Sequence, residues 1–179
     1  MNMEKFTERS RGFVQAAQTI AIREENQRVM PEHLLKALMD DDQGLASNLI
    51  RKAGGAPDRV AEANDAALAK LPKVSGGEGN TYIDPSLVRV LDEAETVAKK
   101  AGDSFVPVER LLTALALVNT RARDALSAGA VNAQGLNAAI NEVRKGRTAD
   151  TASSEETMEA LKKYARDLTE AAANGKIDP

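Results

Sequence analysis

Apolar positions recur at helical spacing along most of the chain, and they fall into short blocks separated by breakers. Phe6, Phe13, Ala16, Ala17, Ile20 and Ala21 form the first stripe, with Thr7 placed to cap it. Pro31 stands where a second helix opens, since the missing N–H costs nothing at that position. Asp40-Asp41-Asp42-Gln43-Gly44 interrupts the pattern. A short third helix runs through Leu45, Leu49 and Ile50 to Gly54-Gly55, and Pro57 opens a fourth that carries Val60, Ala63, Ala67, Leu68 and Leu71. After a Gly- and Ser-rich stretch the plan returns. Asp84-Pro85 starts a helix bearing Leu87, Val90, Leu91, Ala94, Val97 and Ala98, and Gly102-Asp103 closes it. Residues 108–118 form the next helix and residues 122–126 a short one. Asn132 caps a last helix with Leu136, Ala139, Ile140 and Val143.

This is a duplication. Pro31-Glu32-His33-Leu34-Leu35-Lys36-Ala37-Leu38 matches Val108-Glu109-Arg110-Leu111-Leu112-Thr113-Ala114-Leu115 at an offset of 77 positions. The same offset pairs Ala17 with Ala94, Ala21 with Ala98, Leu49 with Leu126 and Asn64 with Asn141. The expected fold is therefore all-α: two tandem four-helix repeats, residues 1–72 and 83–145, packed about a pseudo-twofold axis and joined by a connector at 73–82. Residues 146–154 are small and polar and read as a flexible linker. Helical periodicity resumes at Met158, Leu161, Tyr164, Ala165 and Leu168, so residues 155–179 carry an extra helix whose apolar stripe nothing else in the chain covers.

Composition removes several functions. Aromatic residues are 3% with no Trp, and the net charge is −3, so neither base stacking nor a global positive field recommends nucleic acid. The chain has no Cys and a single His, His33, which excludes thiolate chemistry and a two-His metal site within one chain. No membrane-length apolar run or signal core is present, and a cytoplasmic protein is the default expectation. No G-x-x-x-x-G-K-[ST] phosphate loop occurs, because Gly175-Lys176 lacks the required spacing. No catalytic site, cofactor or metal is expected in these residues.

The repeat pair, with Pro31-Glu32-His33-Leu34-Leu35 as its clearest motif, resembles the Clp N-terminal repeat domain. Lys162-Lys163-Tyr164-Ala165-Arg166-Asp167-Leu168-Thr169, followed by Asn174-Gly175-Lys176-Ile177-Asp178-Pro179, resembles the entry into the first ATPase module of the same AAA+ chaperones. Leu71-Pro72-Lys73-Val74 and Val88-Arg89-Val90-Leu91 favour the ClpB-type disaggregases. The resemblance implies a domain that engages unfolded or aggregated polypeptide for a homohexameric motor working with a DnaK-type system. In the full-length parent, ATP and magnesium would act in modules that lie outside residues 1–179. The fragment itself is expected to be monomeric. Adaptor and substrate docking in a ClpA- or ClpC-type unfoldase that feeds a protease is the alternative.

The same resemblance marks Thr7, Asp103 and Glu109 as a polar cluster near the client-binding surface, and Glu93, Val97 and Arg110 as positions of an apolar patch. Two of that second set are charged here, so the groove is either more polar than its relatives' or these are ordinary solvated helix positions. The residues alone give humbler roles: Thr7 a cap, Asp103 a turn, Glu109 an anion in a first helical turn. If the trio faces a client, Thr7→Ala and Glu109→Ala lower affinity and leave the melting temperature nearly unchanged. His33, whose counterpart is Arg110, reads as structural, and the acidic run at 40–42 as a solvated loop.

Overall fold

In a computed structural model, residues 2–75 and 80–155 are described. They form eight α-helices: α1 (Glu8–Arg23), α2 (Pro31–Met39), α3 (Leu45–Lys52), α4 (Pro57–Ala69), α5 (Pro85–Lys100), α6 (Val108–Leu117), α7 (Arg121–Ala128) and α8 (Ala133–Arg144). The expected capping residues start them. Thr7 accepts from Ser10 N–H, Asp84 from Ser86 N–H and Asn132 from Gly135 N–H, while Pro31, Pro57 and Pro85 occupy first turns. The extra helix expected within residues 155–179 lies outside the described residues.

The repeats are interlocked rather than side by side. Helix α4 packs on α7 and α3 on α8, each across the repeat boundary. Two short parallel pairings do the same with extended chain. β1 (Arg28–Val29) pairs with β2 (Tyr82–Ile83), and Phe6 bridges to Val106. At the 77-residue offset Phe6 corresponds to Ile83 and Val29 to Val106, so these are two copies of one contact. The segment leading into one repeat's first helix pairs with the segment leading into the other repeat's second helix.

One register differs from the sequence reading. Helices α1 and α5, and α2 and α6, start 77 residues apart, but α3 and α7, and α4 and α8, start 76 apart. The link before α7 is shorter, at residues 118–120 against 40–44. Burial follows the shorter offset: Ala46, Leu49 and Ile50 line α3 where Ala122, Ala125 and Leu126 line α7. Leu49 is thus the counterpart of Ala125, and Asn64 of Ile140, not of Leu126 and Asn141.

Near the repeat boundary two glycines allow backbone contact. Ala56 N–H donates to the Gly129 carbonyl at 2.8 Å. A Cβ on Gly129 would lie 2.3 Å from Val60 Cγ2 and 2.8 Å from the Ala56 oxygen, and one on Gly55 would lie 2.9 Å from the Gly129 oxygen. The core is aliphatic, built on Leu34, Leu35, Leu38, Ile50, Leu87, Leu91, Leu111, Leu112, Leu115, Leu126 and Leu136, with Phe6 as its fully buried aromatic.

Residues 146–154 do not run free as a linker. The segment after α8 folds back onto the body: Phe105 N–H donates to the Ala149 carbonyl at 2.9 Å, Glu8 N–H donates to the Ala152 carbonyl at 2.8 Å, and Ala149, Ser154 and Glu155 are buried. Its polar residues and backbone match groups that the body leaves unsatisfied, which a reading of composition does not reveal.

Candidate functional site

The six residues singled out from the sequence separate into two sets. Glu93 and Val97 on α5, with Arg110 on α6, line an open groove of about 890 Å³. Leu117 of α6, Ala133, Asn137, Asn141 and Arg144 of α8, and Arg147 and Thr148 after it, also line the groove. The α8 positions 133, 137, 141 and 144 follow helical spacing, so one face of α8 serves this groove while Leu136, Ala139 and Ile140 enter the core. The apolar part comprises Val97, Ala101, Leu117 and Ala133, and Leu117 is exposed.

Thr7, Asp103 and Glu109 do not line this groove. Each is buried, Thr7 completely. Asp103, at the turn after α5, accepts from Arg144 Nη1 at 2.7 Å and Nη2 at 2.6 Å, from Arg110 Nε at 3.2 Å and from Ala149 N–H at 2.8 Å. Burial works to raise its pKa, but the hydrogen bonds from Arg144, Ala149 and Arg110 prevail and hold the carboxyl below its ordinary range. Arg144 Nε also lies 3.5 Å from Glu109 Oε1. Glu109 is so deeply enclosed that burial, against the opposing charge of Arg144, raises its pKa. Asp103 and Glu109 therefore belong to one buried network organised around Arg144, which the groove reaches through Arg110 and Arg144, while Thr7 bonds separately to Ser10 and Glu155.

Two expectations change. Arg110 is not a solvated helix position: it is buried, its guanidinium turned to Asp103 and, at 3.4 Å, to Asn137 Oδ1. Its charge is matched inside the domain, which leaves the groove less polar than its composition suggests. Thr7 and Glu109, being buried and bonded, also cannot be removed without a cost to stability.

His33 has the structural role expected of it. Nδ1 accepts from Met30 N–H at 2.9 Å, Nε2 lies 2.9 Å from Asn26 Oδ1, and burial lowers its pKa to about 4. Asn26 and His33 are the 77-residue counterparts of Asp103 and Arg110, so one structural position holds a neutral pair in the first repeat and an ion pair in the second. Sequence reasoning missed Arg144, Asn137, Leu117 and Glu155. The i, i+4 face of α8 could have indicated Asn137, and nothing local marks Glu155. Among the described residues no group of acidic, His or Cys side chains could hold a metal, and no helix is long and apolar enough to cross a membrane.

The helical pairing, the duplicated crossover and the groove define a known architecture. The family model for the Clp repeat (R) N-terminal domain matches residues 5–129. The chain belongs to the Clp repeat N-terminal domain family. This Clp repeat domain is 56% identical over 180 residues to the chaperone protein ClpB of Agrobacterium fabrum, a match that covers 100% of the chain and 21% of that protein. Its counterpart in Rhodopseudomonas palustris gives 56% over 181 residues with the same coverage. The chain thus spans about a fifth of the length of the curated relatives it matches. The Hsp104 N-terminal domain from Candida albicans superposes with a TM-score of 0.74 at 18% identity, covering 84% of this chain and 99% of that one. A ClpV N-domain in complex with a VipB peptide gives 0.62 at 19% identity, covering 82% and 91%. At those identities the two structures establish the fold of the Clp repeat domain.

Proposed function

We propose that this domain is the polypeptide-engaging module of a ClpB-type disaggregase, and that the α5–α6–α8 groove binds short apolar segments of unfolded or aggregated clients. The observation that carries the reading is the groove itself: an open trough whose lining includes the apolar residues Val97, Ala101, Leu117 and Ala133, with Ala101 and Leu117 exposed. A fold of this kind that holds a peptide, the ClpV N-domain, supports it. Non-native chains expose the side chains that such a trough accepts. Modest affinity suffices, since six tethered copies in a hexamer raise the effective concentration of sites. ATP hydrolysis, magnesium, the hexamer and a DnaK-type partner belong to this reading as properties of the longer parent. Adaptor docking in a ClpA- or ClpC-type unfoldase is less well supported, because the relatives matched across the whole chain are ClpB chaperones.

The test is fluorescence anisotropy with labelled unfolded casein against the 179-residue chain and its Leu117→Asp variant. Leu117 is 41% exposed, so the substitution leaves the core intact. Losing one apolar anchor of about 1.5 kcal/mol weakens binding roughly tenfold with an unchanged melting temperature. Equal affinity of both proteins for casein would refute the assignment of this groove.

A further inference from the structure

The polar trio has an occupant, and it belongs to this chain. Residues 149–155 run back across the junction where α1 and α6 begin. Ala149 N–H donates to Asp103, the Ala152 carbonyl accepts from Glu8 N–H, and Glu155 Oε2 accepts from Val108 N–H at 2.8 Å while Oε1 meets the Thr7 hydroxyl. Each contact answers a need of the body. Glu8 and Val108 are the first residues of α1 and α6, and their N–H groups have no intrahelical acceptor. In the first repeat the counterpart of Val108 is Pro31, which has no N–H to satisfy.

A chain of hydroxyl groups lies beneath Glu155. Ser10 Oγ donates to the Val106 carbonyl at 2.8 Å and lies 3.0 Å from Thr7 Oγ1. Thr7 has a single hydroxyl proton, and its oxygen already accepts Ser10 N–H. The same hydroxyl reaches Glu155 Oε1, a contact in which Thr7 donates to the ionised carboxylate and can accept from the neutral acid.

We propose that residues 149–155 are a latch closed by Glu155 as a neutral acid, and that Thr7, Asp103 and Glu109 hold this exit segment instead of touching a bound polypeptide. The proposal stands independently of the groove reading. Ionised Glu155 would face Glu109 on α6, with Arg9 of α1 and Arg144 of α8 the cations near enough to act on it. Burial, opposed by the hydrogen bond from Thr7 and aided by the Glu109 charge, pushes the carboxyl up to about 7. The docked state therefore binds a proton that the released segment, at an ordinary 4.5, does not. Docking is strongest at low pH, weakens as pH rises through 4.5 to about 7, and is level above that. Between pH 5.5 and pH 8 the docking constant falls by roughly 30-fold.

Amide hydrogen exchange followed by NMR on the 179-residue chain, corrected for intrinsic rates, tests this. Protection at Ala149 and Val108 should fall by roughly 30-fold from pH 5.5 to pH 8, while amides in the middle of α5 keep theirs. Glu155→Gln can donate to Thr7 and accept from Val108, so it should stay docked at both pH values. Glu155→Ala should lose protection at Ala149 and Val108 by about tenfold at pH 5.5. Protection at Ala149 in the unaltered chain that is the same at both pH values overturns the latch. So does full protection at Ala149 in Glu155→Ala. Because the pH series uses no variant, a folding defect in Glu155→Ala leaves the decision intact. Casein affinity is a separate readout, so failure of the groove and failure of the latch are distinguishable.

Discussion

Replacing Asp103 with Ala removes the one acceptor shared by two buried guanidinium groups. Arg110 and Arg144 have side chains only 3% and 6% exposed, and Asp103 is their partner at 3.2 Å and 2.6 Å. Leaving a buried ion without its partner costs about 3–5 kcal/mol. The second arginine keeps Glu109 at 3.5 Å, and Arg110 keeps Asn137, so the lower half of that range is the expected outcome. For a domain of this size each kcal/mol moves the melting temperature by about 2–4 °C, which gives a fall of about 10 °C. Helical circular dichroism against temperature reads the shift, and urea unfolding gives the free energy. The pH dependence supplies a second check. With the folded carboxyl held below its ordinary 3.8, the contribution is present above that value and is lost as pH falls through the lower folded one. Asp103→Ala should therefore flatten the acid limb of the stability curve. Adding Arg144→Leu to Asp103→Ala should recover part of the loss, since it removes the unpaired charge. A fall under 2 °C for Asp103→Ala alone would refute the argument, because it would mean that water replaces the carboxylate at both arginines.

Further outcomes follow at His33, Gly129 and Gly12. His33 is the chain's one imidazole, so its ring protons titrate alone by NMR; the midpoint should lie near 4, and a midpoint above 6 would contradict its burial and the Met30 N–H bond. Since that value is below the ordinary 6.5, stability should decline as pH drops from 6.5 toward 4, and His33→Asn should remove that slope. Gly129→Ala forces a Cβ against Val60 and the Ala56 carbonyl and should cost about 2 kcal/mol or more in urea unfolding. Gly12→Ala, with open space around its Cβ inside α1, should instead stabilise by about 0.5–1 kcal/mol, and equal effects of the two would contradict the close crossing at Gly129.

The helices were legible because their start signals are local. Thr7, Pro31, Pro57, Asp84 and Asn132 sit within one turn of the helices that they open, and the aliphatic stripes supply the period. The one-residue change of offset was not legible. In a chain rich in Ala and Leu, a match such as Leu49 with Leu126 arises in the wrong register as easily as in the right one, and only burial distinguishes them. The polar trio is marked by resemblance alone, and its burial is not legible in the sequence, since its partners Arg144, Ala149 and Glu155 lie more than thirty positions away from every member. Arg110 was misread for a different reason: Asp103 stands only seven positions before it, but the two meet only once α5 and α6 have packed together.

The divergence of the two repeats at this position has a local cause. After each repeat's last helix the chain passes this position: Pro72 lies beside Asn26, and Ala149 beside Asp103. A proline offers a carbonyl and no N–H, so position 26 must donate, and Asn26 Nδ2 does so at 3.1 Å. Its amide oxygen is then left for neutral His33 at 2.9 Å. Ala149 offers its N–H, so position 103 must accept. A carboxylate accepts from it and from both arginines together, which no amide could do with one oxygen. The choice of Arg over His at 110 then follows from the choice of Asp over Asn at 103, because an ionised buried acid needs a permanent cation. The second repeat thus acquired a charged network where the first keeps a neutral one, and that network is where the exit segment is anchored.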